Sequence, residues 1–170
     1  FIFAISKLTS AYFLVTNLYF GEYISSISIP WHYHIVWILI TSPVIIIVLF
    51  FVGFYVALFR IFKRLFELDN NLNDVWRGDN EMSDIYFLTM IILPIYLFIT
   101  KNIGYSGWRH LYFIYPSIIM LALYGFYYLN SYLKIRIINF IIYFLILFNF
   151  SYLVYWNYKY HPYQYVYFNL

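Results

Sequence analysis

The chain contains the uncharged stretch Val36–Phe59, VWILITSPVIIIVLFFVGFYVALF, which covers 24 positions and ends directly before Arg60. A helix needs about 20 residues to cross a hydrocarbon layer of roughly 30 Å, so this stretch is long enough to span a membrane. Three further uncharged blocks follow at residues 85–100, 111–129 and 137–156. They predict four transmembrane helices, the second of which reaches full length if it begins near Met82. A membrane β-barrel would instead show blocks of about 10 residues with alternating polarity, which the sequence lacks.

The composition predicts the same fold class. Of the 170 residues, 65% are hydrophobic, 27% are aromatic and 10% are charged, whereas an average soluble domain is about 25% charged. So few charges cannot cover the apolar surface of a soluble domain, and disordered chains are polar and poor in aromatic residues. We therefore predict an all-α, polytopic helical membrane protein. The chain begins with Phe1 rather than Met, and we expect it to be a fragment of a larger protein.

The segment before the first span, residues 1–35, differs from the four blocks. Its apolar residues recur at alternating spacings of four and three, which lines them up on one face of a helix. We predict an amphipathic helix that lies on the membrane surface, and a fifth span is the alternative. Gly21 and Pro30 then bracket a loop. The predicted apolar face comprises Phe1, Ile5, Leu8, Tyr12, Val15 and Tyr19.

Four spans place the connecting segments on alternating sides of the membrane. Residues 60–84 and 130–136 share one side and carry six of the ten Lys and Arg residues, which makes that side cytoplasmic by the positive-inside rule. Residues 1–35, 101–110 and 157–170 then lie outside and contain all four histidines. Four of the five tryptophans lie on this face as well, Trp31 and Trp108 in these segments and Trp37 and Trp156 at the outer ends of two spans. We predict a functional outer face, no charge within a span, and no chemistry in the linker 60–84.

The first outer cluster is Pro30–His34, PWHYH, directly before the first span. Three interpretations are open: a metal site completed by Glu22 or His110, contact with a headgroup or substrate, and an aromatic anchor in the membrane interface. A third outer cluster, His161–Asn169, places tyrosines at alternating positions after Pro162, and such a strip stacks on sugar rings or lies in the interface. Without cysteine or a known phosphate-loop motif, we predict no metal and no cofactor.

The second outer cluster, Gly104–Pro116, delivers Trp108, Arg109 and His110 to the mouth of the third span. Arginine holds phosphate oxygens in a bidentate fork, and histidine adds a hydrogen bond or a second positive charge. We predict that Arg109 and His110 bind a phosphate at the membrane surface; the alternative is an arginine that snorkels to bulk headgroups. The net charge is +3, and the Lys and Arg residues are too dispersed along the chain to bind nucleic acid. The substrate-binding candidates are Glu22, Trp31, His32, His34, Trp108, His161 and Tyr163.

Three outer segments resemble parts of bacterial integral-membrane glycosyltransferases of the GT-C superfamily. The nearest type is glycosyltransferase family 39, the group of the protein O-mannosyltransferases and the lipid A aminoarabinose transferase. The resemblance implies transfer of a sugar from a polyprenyl-phosphate carrier to an acceptor, on the periplasmic or extracellular face of the bacterial inner membrane. The segments are GEYISSISIPWHYHIVWILITSP (Gly21–Pro43), YSGWRHLYFIYP (Tyr105–Pro116) and HPYQYVYFN (His161–Asn169).

The resemblance also implies what this chain lacks. The family's catalytic carboxylate lies in a first outer loop near the N-terminus of a much longer chain, and this sequence has no counterpart to it. Glu22, the one outer carboxylate, lies in the wrong segment to match. We therefore leave the catalytic residue unassigned and expect the isolated chain to be inactive. The alternative function is a non-enzymatic membrane subunit or a transporter component, and the residues select neither a sugar nor an acceptor.

Overall fold

A computed structural model of the chain describes residues 15–66, 78–101, 104, 107–132, 136–163 and 167–169. Within these ranges a two-stranded hairpin precedes five α-helices, and four helical segments are long and apolar enough to cross a membrane, which confirms the predicted fold class. A 3-10 helix, Arg109–Ile114, leads directly into the fourth α-helix. The elements are β1 (Thr16–Tyr19), β2 (Glu22–Ser25), α1 (Tyr33–Thr41), α2 (Val44–Phe66), α3 (Asp79–Thr100), α4 (Tyr115–Tyr132) and α5 (Arg136–Lys159).

The block 36–59, predicted as one span, is divided between α1 and α2. Ser42 has extended backbone (φ −94°, ψ 145°), as expected for a residue before proline, and Pro43 has no amide hydrogen to continue α1. The apolar segment that is long enough to cross a membrane therefore begins at Val44 and ends at Lys63. The other three segments of membrane-spanning length lie close to the predicted blocks, at Glu81–Thr100, Arg109–Tyr132 and Asn139–Lys159.

The predicted N-terminal amphipathic helix is wrong where it reaches the described residues. Residues 16–19 form β1, which pairs antiparallel with β2 so that Tyr19 lies opposite Glu22. Phe20 and Gly21 make the turn with φ of 50° and 86°, the left-handed geometry that a tight two-residue hairpin requires. The turn residue Gly21 was the local signal, and it outweighs the helical spacing of Val15 and Tyr19. Residues 1–14 of the predicted helix lie outside the described residues.

Helices α2 and α4 cross at two glycines, Gly53 and Gly125. A Cβ atom added at Gly53 would overlap the backbone carbonyl of Leu121, and one at Gly125 would overlap the carbonyl of Leu49. Small residues let helix backbones approach closely, and this is the usual way helices associate within a membrane. The crossing therefore fixes how α4, and with it the 3-10 helix, is placed against α2. The buried cluster around it includes Ala57, Leu88, Ile91, Leu111, Ile114, Ile118 and Leu121.

An ion pair joins the C-terminal part of α2 to the N-terminal part of α3, at the end of the bundle away from the β-hairpin. Arg60 Nε lies 3.1 Å from Asp84 Oδ2, and the Asp84 side chain is 4% exposed. The guanidinium carbon of Arg60 also lies 4.3 Å from the ring centroid of Tyr124 on α4. Both charges lie within segments that are long and apolar enough to cross a membrane, so the prediction that no charge lies within a span is wrong. Charges at such positions are tolerated when they are paired, and this pair ties three helices together.

Candidate functional site

Segments from four parts of the chain meet at the end of the bundle that carries β1, β2 and α1, called here the hairpin end. The Tyr33 hydroxyl of α1 accepts a hydrogen bond from the Gly107 amide at 3.1 Å. The Trp108 indole Nε1 donates to Thr41 Oγ1 at 2.7 Å, and the Thr41 hydroxyl donates to the carbonyl of Trp37 at 2.6 Å. The segments predicted to lie on one outer side are therefore neighbours in the fold.

Residues 167–169 pack against the end of α1 at the hairpin end. The side-chain amide of Asn169 donates to the carbonyls of Leu39 and Ser42, both at 2.6 Å, and its backbone amide donates to Ile40 at 2.9 Å. The last carbonyls of a helix have no partner within the helix, so Asn169 satisfies groups that would otherwise be costly to bury. Phe168 beside it packs on Trp37, with ring centroids 5.9 Å apart.

A cavity of about 570 Å³ opens between the hairpin, α1, the 3-10 helix and this tail. Its volume falls within the range of roughly 300–1,000 Å³ that is usual for small-molecule sites. Five of the twelve described residues that line the cavity are aromatic, one is a cation, Arg109, and none is a carboxylate. The lining residues are Val15, Thr16, Asn17, Leu18, Tyr33, Trp37, Thr41, Gly107, Trp108, Arg109, Tyr112 and Phe168.

The backbone around Gly107 presents Arg109 to this cavity. Gly107 has φ of 69°, a conformation that glycine adopts without strain, and the 3-10 helix begins two residues later. Trp108 is buried and packs edge-on against Tyr112, with ring centroids 4.6 Å apart, while Arg109 between them is exposed. The loop with two glycines thus holds an exposed guanidinium beside a fixed aromatic wall.

Tyr33 supplies a neutral hydroxyl to the cavity. Burial raises the pKa of this phenol above its usual value of 10.0, and the hydrogen bond from the Gly107 amide opposes that rise only in part. The hydroxyl therefore stays protonated at physiological pH. Asn17 adds a second polar group to the lining, and its side-chain amide donates to the carbonyl of Gly104 at 3.4 Å.

The structure separates the histidines of the first cluster. His34 is 3% exposed and packs on Phe98 of α3, with ring centroids 5.5 Å apart, so it belongs to the core. His32 is half-buried and lies 5.8 Å from the ring of Tyr19, and the exposed Trp31 meets His32 edge-on at 5.3 Å. None of the three lines the cavity. Within the part of the chain that the structure describes, no group of three or more potential metal ligands occurs.

The remaining predicted site residues also lie outside the cavity wall. Glu22 is exposed at the hairpin turn, and His161 and Tyr163 are exposed after α5. His110 is half-buried and does not line the cavity, because successive residues of a 3-10 helix point about 120° apart. Of the predicted site residues, the structure thus brings only Arg109 and Trp108 together at the cavity.

Sequence reasoning missed three polar residues of this end, Asn17, Thr41 and Asn169. Asn17 was assigned to a helix and Thr41 to the interior of a span. Asn169 ends the third outer cluster, from which only His161 and Tyr163 are predicted site residues. The one available signal was a polar side chain in an apolar surrounding, which needs a hydrogen-bond partner when it is buried.

Comparison of the chain with protein-family models, with curated proteins and with solved structures finds no match. The class of protein is therefore described from the fold and the cavity alone. The chain has four helical segments compatible with an integral membrane protein, with a cationic, aromatic cavity at the hairpin end.

Proposed function

We propose that the chain is part of an integral-membrane glycosyltransferase that takes its sugar from a polyprenyl-phosphate carrier. The observation that carries the proposal is the position of Arg109 in the wall of an aromatic cavity at one end of four apolar helices. A carrier lipid places its phosphate at the membrane surface, the level at which these helices end. The resemblance of the three outer segments to such enzymes supports the same conclusion.

The cavity offers each part of such a donor a matching group. The guanidinium of Arg109 binds phosphate oxygens through two parallel hydrogen bonds. The rings of Trp37, Trp108 and Tyr112 offer faces and edges on which a sugar ring packs. The phosphate gains negative charge as the glycosidic bond breaks, so a fixed cation stabilises the transition state more than the ground state.

The acceptor hydroxyl needs a base to take its proton. No described residue of the cavity wall is a carboxylate, and Glu22 does not line it, so the base remains unassigned. The cavity accounts for donor binding and for stabilisation of the leaving group. The proposal for this chain is limited to those two roles.

The proposed location is the bacterial inner membrane, with the hairpin end on the periplasmic or extracellular face. Arg60 and Lys63 lie at the opposite end, which the positive-inside rule makes cytoplasmic. Gly78→Cys and Lys101→Cys introduce unique thiols at exposed positions at the two ends of α3. A membrane-impermeant maleimide should label position 101 from outside intact cells and position 78 only after permeabilisation; labelling in the reverse order would invert the proposed orientation.

The test of the function is Arg109→Ala in the full-length enzyme, assayed with a polyprenyl-phosphate sugar. A hydrogen bond to a charged group contributes about 1.5–3 kcal/mol, so kcat/KM should fall by about one to two decades. Arg109→Lys should recover only part of the loss, because lysine keeps the charge without the fork. Lys101→Ala removes an exposed cation at the same end that does not line the cavity, and it should change little.

Full transfer rates in a folded Arg109→Ala enzyme would show that Arg109 only anchors the chain to headgroups. The second candidate function is a non-enzymatic subunit or transporter component that binds the carrier without cleaving it. The absence of a carboxylate among the described cavity residues favours this candidate. Binding of polyprenyl phosphate that depends on Arg109, with no turnover in the full-length protein, would establish it.

A further inference from the structure

The β-hairpin has two unlike faces. On the inward face, Asn17 and Tyr19 are buried against the body of the protein. On the outward face, Leu18 and Tyr23 are cross-strand partners, and they are 58% and 80% exposed. Phe20 at the turn is 79% exposed. We call Leu18, Phe20 and Tyr23 the hairpin patch.

The turn contains a conflict between residue type and backbone. Phe20 is the one non-glycine residue with positive φ among the residues that the structure describes. Asn and Gly favour this position of a two-residue hairpin, and a phenylalanine is strained there. Its ring contacts the neighbouring Tyr19 ring, with centroids 4.5 Å apart, but is otherwise exposed. A strained, exposed aromatic residue indicates a role for the side chain outside the fold of this chain.

We propose that the hairpin patch inserts into the interfacial layer of the membrane that the helices cross. Four apolar helices end at this level, so the headgroup region surrounds the hairpin end. Leucine, phenylalanine and tyrosine side chains suit that layer, because it accepts apolar rings and still hydrates a phenol hydroxyl. Trp31, 66% exposed at the same end, is a further side chain of this kind.

The size of the hairpin patch favours lipid over a protein partner. A stable protein interface buries about 800 Å² on each partner and uses 20 or more residues, far beyond three side chains. Membrane insertion has no such threshold, since each ring and methyl group contributes as it leaves water.

The insertion has a consequence for the cavity, because the same strand forms part of its wall. Val15, Thr16 and Asn17 line the cavity, and Leu18 of the hairpin patch lies at its edge, so the bilayer surface would border the cavity on this side and hold that wall in place. This inference holds for an enzyme and for a transporter component alike, and its test does not depend on sugar transfer.

The chain has no cysteine, so single thiols can be labelled cleanly. The full chain with Tyr23→Cys or Glu22→Cys is labelled with an environment-sensitive nitrobenzoxadiazole dye and reconstituted into vesicles of phosphatidylcholine and phosphatidylglycerol. Glu22 is the matched control. It is exposed and adjacent to Tyr23, but its side chain points to the opposite face of the strand. We expect a blue-shifted dye at position 23 that nitroxide-labelled lipids quench, and a dye at position 22 that aqueous iodide quenches.

Three results would overturn the proposal. They are iodide quenching at position 23 equal to that at position 22, protection of position 23 from both quenchers, and lipid quenching at both positions alike. Protection from both would mean that protein covers the patch. A second variant, Phe20→Asn, suits the turn better and should keep the helical circular-dichroism spectrum while lowering the lipid quenching at position 23; unchanged lipid quenching in this variant would remove Phe20 from the anchor.

Discussion

The glycine crossing of α2 and α4 allows a quantitative prediction about stability. In Gly125→Ala the new methyl group would overlap the backbone carbonyl of Leu49, and in Gly53→Ala it would overlap that of Leu121. The atoms in the way belong to helix backbone and not to the end of a flexible side chain. The helices must therefore separate, which opens the packing of buried Ala57 and Leu121 around the crossing.

Two terms of opposite sign set the magnitude. Replacing glycine by alanine within a helix gains up to about 1 kcal/mol from helix propensity. Overpacking a filled core costs about 1–3 kcal/mol and more when backbone must move, as it must here. We expect the overpacking term to dominate, so that each single variant loses about 1–2 kcal/mol of unfolding free energy. The double variant should lose less than the sum, because the first methyl group already separates the helices.

The assay is reversible unfolding in mixed micelles on titration with dodecyl sulfate, followed by far-ultraviolet circular dichroism. Ser131→Ala is the matched control, because it adds an alanine to an exposed position of the same helix, and it should stay within about 0.5 kcal/mol of the parent. If Gly53→Ala and Gly125→Ala are both as stable as the parent, the close approach of α2 and α4 is refuted. Strictly additive losses would show that the two glycines do not share one contact.

Three further predictions use the same unfolding assay. Asn169→Ala removes two side-chain hydrogen bonds to the end of α1 and should cost about 1–2 kcal/mol, while Asn157→Ala, exposed on α5, should cost little; equal effects would refute the tail contact. Asp84→Leu leaves Arg60 without its carboxylate and should cost about 2–3 kcal/mol, most of which Arg60→Met in the same chain should restore; no recovery would show that the pair is not the cause. Folding raises the pKa of Tyr33 above 10.0, so the contribution of the protonated phenol to the free energy of unfolding is complete below pH 10.0 and is lost as the pH rises through the pKa of the folded state. Tyr33→Phe should therefore flatten the loss of stability above pH 10.0, and an unchanged pH profile would contradict this.

The site shows where sequence reasoning reached the right residues and where it stopped. Trp108 and Arg109 were found because a loop with two glycines placed them at a span end, a relation between near neighbours in sequence. His34 was a candidate on the same grounds, yet it packs into the core against Phe98, 64 positions away in the chain. Periodicity and motif spacing describe only local geometry, so they do not distinguish an accessible histidine from a buried one.

Composition and uncharged block length were enough to establish the four membrane-length helices, because the cost of exposing backbone and charge to hydrocarbon leaves few other solutions. Pro43 and Gly21 also carried local information, and they mark the break after α1 and the turn of the hairpin. The tertiary structure alone decided that α2 and α4 meet at Gly53 and Gly125, that Arg60 finds Asp84, and that Asn169 closes the end of α1. These contacts join residues 24 to 130 positions apart, and their free energy depends on distance and burial in the folded chain, which local sequence does not determine.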